Sequence, residues 1–73
     1  MMSKQDKREQ RIRQNPTNVS LKDFEGLINT YGYIKGSGGH PKARIGAFTM
    51  PYKRENPVKP CYVKDLLKII DSL

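Results

Sequence analysis

Two stretches with apolar residues at helical spacing flank a glycine-rich central segment, and this arrangement limits the folds open to the chain. The first stretch begins near Leu21 and the second near Pro60. The apolar face of the first comprises Leu21, Phe24, Leu27, Ile28 and Tyr31. That of the second comprises Tyr62, Val63, Leu66, Leu67, Ile69, Ile70 and Leu73. A chain of 73 residues forms one domain with a small core, so any functional surface must be shallow.

The boundaries of the first helix are marked by local signals. Ser20 is expected to cap a helix that runs from about Leu21 to Thr30, and Asp23 follows it at capping-box spacing. Gly32 provides a flexible stop. Gly26, inside the helix, costs roughly 1 kcal/mol relative to alanine, which indicates close packing at that point.

Three short strands are predicted between the helices, at residues 33–35, 43–45 and 48–50. The segment 52–59 is polar and basic, so we expect an exposed connection there. Pro60 is well placed in the first turn of the final helix. The order helix, three strands, helix predicts an α+β domain with a small antiparallel sheet and both helices on one face.

Residues 1–14 are predicted to be a basic N-terminal extension of the domain formed by residues 15–73. Ile12 is the one large apolar side chain of residues 3–14, so this segment is expected to be frayed or helical without docking firmly. The alternative is that its cations contact RNA or a partner protein. Asn15 and Pro16 end the segment, because a residue before proline disfavours helical geometry.

The chain is strongly basic. Its 14 Lys and Arg residues against 7 Asp and Glu give a formal charge of +7, which favours nucleic acid or an acidic protein surface as a partner. Cys61 is the single cysteine, so an intramolecular disulfide is excluded, and we expect a small buried side chain there. No run approaches the about 20 apolar residues that span a bilayer, so a cytoplasmic protein without a membrane partner is predicted.

His40, the only histidine, follows a glycine-rich turn at residues 36–39. An imidazole can serve as a general acid or base near neutral pH. If a strand begins at His40, then Lys42 and Arg44 lie on the same face and place two phosphate-binding cations beside it. Alternatively, His40 is solvated or makes one backbone hydrogen bond. Ser37 either donates to a phosphate or serves only the turn.

A second basic cluster, Lys53 and Arg54, follows the third predicted strand. It is either a solvated loop or a clamp for RNA or for an acidic partner. Tyr52 beside it is the predicted base-stacking residue, whereas Tyr31 and Tyr62 occupy apolar-face positions and are expected in the core. One His and one Cys cannot form a structural zinc site within one chain, so no metal site is predicted.

Several runs carry a resemblance to a known family. They are the run that starts with Asn-Pro-Thr-Asn-Val-Ser and ends with Gly-Tyr at 15–33, Gly-Ser-Gly-Gly-His-Pro-Lys-Ala-Arg-Ile-Gly at 36–46, Thr-Met-Pro at 49–51 and the segment 58–67. From about Asn15 onward the chain resembles the HicA toxins of bacterial toxin-antitoxin systems. The resemblance implies a fold like the double-stranded-RNA-binding domain. It also implies a metal-independent, histidine-dependent endoribonuclease without cofactor that cleaves messenger RNA and is neutralised by a HicB-like antitoxin protein.

The family hallmark is a Gly-Ser-His run whose histidine is catalytic, and this sequence departs from it. Gly38 and Gly39 stand between Ser37 and His40. Either the loop is longer and His40 keeps the catalytic place, which we expect, or Gly38 takes that place and His40 has no catalytic duty. Two functions are alternatives to the endoribonuclease. One is a noncatalytic RNA-binding module of the same fold, and the other is a subunit that binds only its antitoxin.

Overall fold

The computed structural model describes residues 4–36 and 40–73, which form a small α+β domain. Its elements are α1 (Lys4–Gln14), α2 (Leu21–Tyr31), β1 (Tyr33–Lys35), β2 (Lys42–Ile45), β3 (Phe48–Pro51) and α3 (Pro60–Asp71). The predicted helices and strands are therefore confirmed to within one or two residues at their ends. Within the described ranges, no helix is long and apolar enough to cross a membrane.

The sheet is antiparallel, with strand order β1-β2-β3. Ile34, Ala43 and Met50 lie opposite one another across the three strands, and Ala43 and Met50 are buried. Helix α2 contacts β1 and β2, and α3 contacts β3. Because neighbouring residues of a strand face opposite sides, both helices cover the face that carries these apolar residues, as predicted. The other face, which we call the outer face, is open.

The start of α2 follows the predicted capping pattern. The hydroxyl of Ser20 accepts a hydrogen bond from the backbone N–H of Asp23 at 3.2 Å. Val19 and Phe24 on either side of the cap are both buried, as a hydrophobic staple requires. The cap thus fixes the direction in which the chain enters the helix.

Gly32 ends α2, but flexibility is not the reason that glycine stands there. Its φ of −164° is extended backbone that any residue can adopt. A Cβ at this position would lie 1.9 Å from the carbonyl oxygen of Arg44. The turn from α2 into β1 therefore passes directly against the central strand, and only a residue without a side chain fits.

Helix α1 docks on the domain, so the expectation that it cannot dock firmly was wrong. Ile12 is only 2% exposed. Arg13 forms an ion pair with Asp71 of α3 at 2.7 Å, and hydrogen bonding from its guanidinium lowers the pKa of the Asp71 carboxyl. A single apolar anchor is sufficient because ion pairs at the rim of the contact surround it.

Close packing at Gly26 is confirmed, and α1 is its cause. A Cβ on Gly26 would lie 2.5 Å from Nη1 of Arg8. The same guanidinium lies 3.7 Å from a carboxylate oxygen of Asp23, and Arg11 lies 3.8 Å from that oxygen. The missing side chain of Gly26 lets the arginine of α1 lie flat on α2.

We expect Ile12→Ala to lower the free energy of unfolding by about 2 to 5 kcal/mol, because it removes a fully buried side chain and leaves a cavity. Urea denaturation followed by circular dichroism measures this. Lys7→Ala, an exposed substitution on the same helix, is the control and should change little. Equal midpoints for the two variants would show that α1 does not dock in solution.

Two side chains predicted to be buried, Cys61 and Tyr31, are exposed instead. Cys61 is exposed because it lies in the first turn of α3, ahead of the buried residues Val63, Leu66 and Ile70. Tyr31 is 39% exposed, and its hydroxyl donates to Glu9 of α1. Leu73, beyond the end of α3, is 63% exposed. Tyr62 is partly buried against the core.

Candidate nucleic-acid interface

The outer face of the sheet consists of two rows of side chains that cross all three strands. One row is formed by Tyr33, Arg44 and Thr49, which are register partners. The other is formed by Lys35, Lys42 and Pro51. All of these residues are exposed except Arg44, which is partly buried. The face thus presents one aromatic ring and three cations to solvent.

A cleft of about 250 Å³ opens at one end of this face. It is lined by Lys35, Gly36, His40, Lys42, Arg44 and Thr49. The strand begins at Lys42 and not at His40, but His40, Lys42 and Arg44 all line this cleft. Sequence reasoning missed Lys35 and Thr49, although the alternation of side chains along β1 and β3 could have placed them on the same face.

His40 is held in place by its neighbour. The side chain of His40 is exposed, whereas Pro41 is fully buried. The carbonyl of Pro41 accepts a hydrogen bond from the backbone N–H of Tyr52 at 3.2 Å. The imidazole is therefore carried by an anchored segment of backbone just before β2. Ser37, predicted to contact phosphate, lies outside the described residues.

Charge is distributed unevenly over the protein. The sequence contains no Asp or Glu from Gly26 to Arg54, a stretch that includes the whole sheet. The described ion pairs involve the cations Arg8, Arg11, Arg13 and Arg54. Within residues 7–36 and 40–73, Lys35, Lys42 and Arg44 form no ion pair. The positive charge of the outer face is therefore not neutralised by any described ion pair.

The side chain of Arg44 also contains a hydrogen-bond donor without an acceptor. Its Nε atom is buried and has no hydrogen-bond partner among the described residues. A buried donor without a partner costs free energy. A guanidinium presents donors in a planar fork that matches the geometry of a phosphate.

Tyr52 is a core residue, so its predicted role in base stacking is wrong. It is only 2% exposed, its ring packs edge-on against Phe24 with centroids 5.0 Å apart, and its hydroxyl donates to Glu25 at 2.6 Å. Burial, followed by the Glu25 carboxylate, raises the pKa of Tyr52 far above its ordinary value. Tyr52 is buried because side chains alternate along a strand. Pro51 belongs to the outer face, so the side chain of Tyr52 points to the core.

The two cations of the second basic cluster, Lys53 and Arg54, lie in different environments. Nε of Arg54 lies 3.1 Å from a carboxylate oxygen of Glu25, and the charge of Glu25 raises the pKa of Arg54. Lys53 is exposed. Neither residue lines the cleft around His40. Their contact with RNA stays a prediction, and Arg54 would have to leave Glu25 to make it.

We expect Tyr52→Phe to lower the free energy of unfolding by about 2 kcal/mol, because it removes a hydrogen bond to a charged group. Chemical denaturation monitored by circular dichroism tests this. Tyr33→Phe removes the same hydroxyl from an exposed ring and should leave stability nearly unchanged. A loss of stability as large in Tyr33→Phe as in Tyr52→Phe would contradict a stabilising hydrogen bond between the Tyr52 hydroxyl and Glu25.

A second cavity, of about 300 Å³, lies where α1 meets α2. Its lining residues are Arg11, Ile12, Gln14, Asn15, Asn18, Val19 and Asp23. Arg11 and Asp23 form an ion pair there, so this cavity lacks the unpaired charge of the outer face. In the described part of the chain, no three His, Cys, Asp or Glu side chains group together in a metal-binding arrangement.

Comparison of the chain with protein-family models, with curated proteins and with solved structures found no match.

Proposed function

We propose that this protein is an endoribonuclease that cleaves messenger RNA, with His40 as its general acid or base. The observation that carries the proposal is the cleft in which His40 lies beside Lys35, Lys42 and Arg44. This combination of a proton-transfer group and unpaired cations suits a polyanionic substrate. The proposal includes a fold like the double-stranded-RNA-binding domain. The sequence runs that resemble HicA toxins and the order α2, three strands, α3 support it.

In the proposed reaction the ribose 2′-hydroxyl attacks the adjacent phosphorus. A bond forms between the 2′-oxygen and phosphorus, and the bond from phosphorus to the 5′-oxygen of the next nucleotide breaks. The proton of the 2′-hydroxyl passes to a base, and the leaving oxygen receives one. His40 carries one of these transfers and solvent water in the open cleft carries the other. Lys42 and Arg44 stabilise the negative charge that develops on the phosphorane oxygens.

The proposal includes a HicB-like antitoxin as the protein partner. The sheet lacks carboxylates, as the sequence from Gly26 to Arg54 shows. An acidic antitoxin surface is therefore complementary to the outer face and would block RNA from reaching His40.

Induced expression in bacteria tests the proposed function. The parent chain should arrest growth and cut cellular messenger RNA, and His40→Ala should do neither. Lys64→Ala, an exposed cation of α3 away from the cleft, is the matched control and should behave as the parent. Equal arrest by His40→Ala and the parent would contradict a catalytic role for His40.

A noncatalytic RNA-binding module is the second candidate, because Gly38 and Gly39 separate Ser37 from His40. This candidate keeps the cations of the outer face but not the proton transfer. It predicts that the purified parent binds RNA without cutting it, and that His40→Ala leaves this behaviour unchanged. Cleavage by the parent would exclude it.

A further inference from the structure

We propose that the outer face binds single-stranded RNA and that Tyr33 stacks on a base next to the cleaved phosphate. This inference rests on the proposed function and adds the form of its substrate and a binding residue. Tyr33 is 56% exposed, more than Phe48 at 43% and Tyr31 at 39%. It lies opposite Arg44 in the register of β1 and β2, so its ring is beside the cleft that contains His40.

The position of Tyr33 favours it over the other exposed aromatic rings. Phe48 is the register partner of the buried residue Ile45, so it belongs to the opposite side of the sheet from Arg44. The hydroxyl of Tyr31 donates to Glu9 of α1, which holds that ring toward the helices. Among the described residues, Tyr33 is therefore the exposed aromatic side chain on the outer face.

Two physical arguments favour a single strand over a duplex. Base faces are available for stacking on an aromatic ring when the strand is unpaired, whereas in a duplex they are covered by neighbouring bases. In addition, attack by the 2′-oxygen requires alignment with the bond to the leaving 5′-oxygen, and the regular A-form backbone does not provide that alignment. A strand splayed over a flat sheet satisfies both conditions.

The size of the face limits the contact to a short stretch of RNA. Strands of a sheet lie about 4.8 Å apart, so three strands span roughly 10 Å between the outer two. This width limits the contact to a few nucleotides at most, with a base on Tyr33 and a phosphate against Arg44. The guanidinium of Arg44, which lines the cleft together with His40, would then donate to that phosphate. Tyr33 is thus a binding residue that positions the substrate.

Binding of a short, labelled oligouridylate, alone and annealed to its oligoadenylate complement, tests the inference. The parent should bind the single strand more tightly than the duplex. Tyr33→Ala should weaken single-strand binding by about 5- to 150-fold, the effect of losing one stacked base. Tyr33→Phe keeps the ring and should bind as the parent does. Phe48→Ala, which removes an exposed ring from the other side of the sheet, should also bind as the parent does.

Fluorescence provides a direct readout of stacking because the chain contains no tryptophan. Tyr33→Trp introduces a single indole on the outer face, and its emission should be quenched when oligouridylate binds. Phe48→Trp introduces the same fluorophore elsewhere and should not be quenched. Quenching in both variants or in neither would overturn the assignment of Tyr33.

The outcomes separate this inference from the proposed function. If the parent cuts RNA and Tyr33→Ala binds and cuts equally well, the stacking role is overturned and the ribonuclease function stands. If the parent binds the single strand through Tyr33 but neither it nor His40→Ala cuts, the stacking role stands and the ribonuclease function falls. Equal or tighter binding of the duplex, or no RNA binding by the parent, would overturn the inference.

Discussion

His40→Ala is expected to reduce the single-turnover rate of RNA cleavage by about 10²- to 10⁴-fold, the contribution of one positioned general acid or base. The RNA affinity should stay nearly unchanged, because the cations Lys35, Lys42 and Arg44 supply the attraction to phosphate and the substitution leaves them in place. His40 is exposed, so the variant should also fold with the stability of the parent. Rates measured with enzyme in excess over labelled RNA separate the chemical step from binding.

Lys42→Ala is expected to affect RNA binding more than the rate of cleavage, in contrast to His40→Ala. This variant loses a cation of the cleft and keeps the imidazole, so we expect weaker binding together with a smaller loss of rate at saturating enzyme. If His40→Ala instead weakens binding and leaves the saturated rate intact, the histidine acts as a ligand for RNA and not in proton transfer.

Gly32→Ala is expected to lower the free energy of unfolding by about 3 kcal/mol or more, at the upper end of overpacking effects. The new Cβ would lie 1.9 Å from the carbonyl oxygen of Arg44 and 3.0 Å from Cα of Ile45. Both atoms belong to the backbone of the central strand, so they cannot move aside as the end of a side chain can. A domain of this size has a total stability of only about 4 to 11 kcal/mol, so the loss is a large part of it.

Gly26→Ala is the matched control for this prediction. Its Cβ would also meet an atom closer than 3.0 Å, but that atom is Nη1 at the flexible end of Arg8. The arginine can swing away, and alanine in a helix gains up to about 1 kcal/mol over glycine. Thermal or urea unfolding of the two variants should therefore differ widely. Equal stabilities would show that α2 and β2 are not packed as closely as described.

The elements of the fold follow from local patterns in the sequence. Helices α2 and α3 are predictable from apolar residues at helical spacing, and the cap at Ser20 fixes where α2 begins. The shared face of Lys42 and Arg44 follows from the alternation of side chains in a strand. These features need only neighbouring residues, so the sequence alone reveals them.

Features that depend on distant partners were not predictable in the same way. Helix α1 has weak local signals, and its contacts with the domain include an ion pair between Arg13 and Asp71 at the other end of the chain. The carboxylate that accepts the hydrogen bond from the Tyr52 hydroxyl belongs to Glu25, far away in the sequence. One signal was available: Met50 faces the core, and Tyr52 is two residues farther along, so a strand continued past Pro51 would have placed it inside.

The dependence of RNA affinity on salt tests the central claim that the cations of the outer face bind RNA. For single-stranded RNA, the logarithm of the binding constant falls with a slope of about 0.7 per phosphate neutralised. Three cations, Lys35, Lys42 and Arg44, predict a slope near −2 on a double-logarithmic plot. Lys42→Ala should make this slope shallower by about 0.7, and Lys64→Ala on α3 should leave it unchanged. A flat dependence for the parent, or an equal change in both variants, would contradict the account.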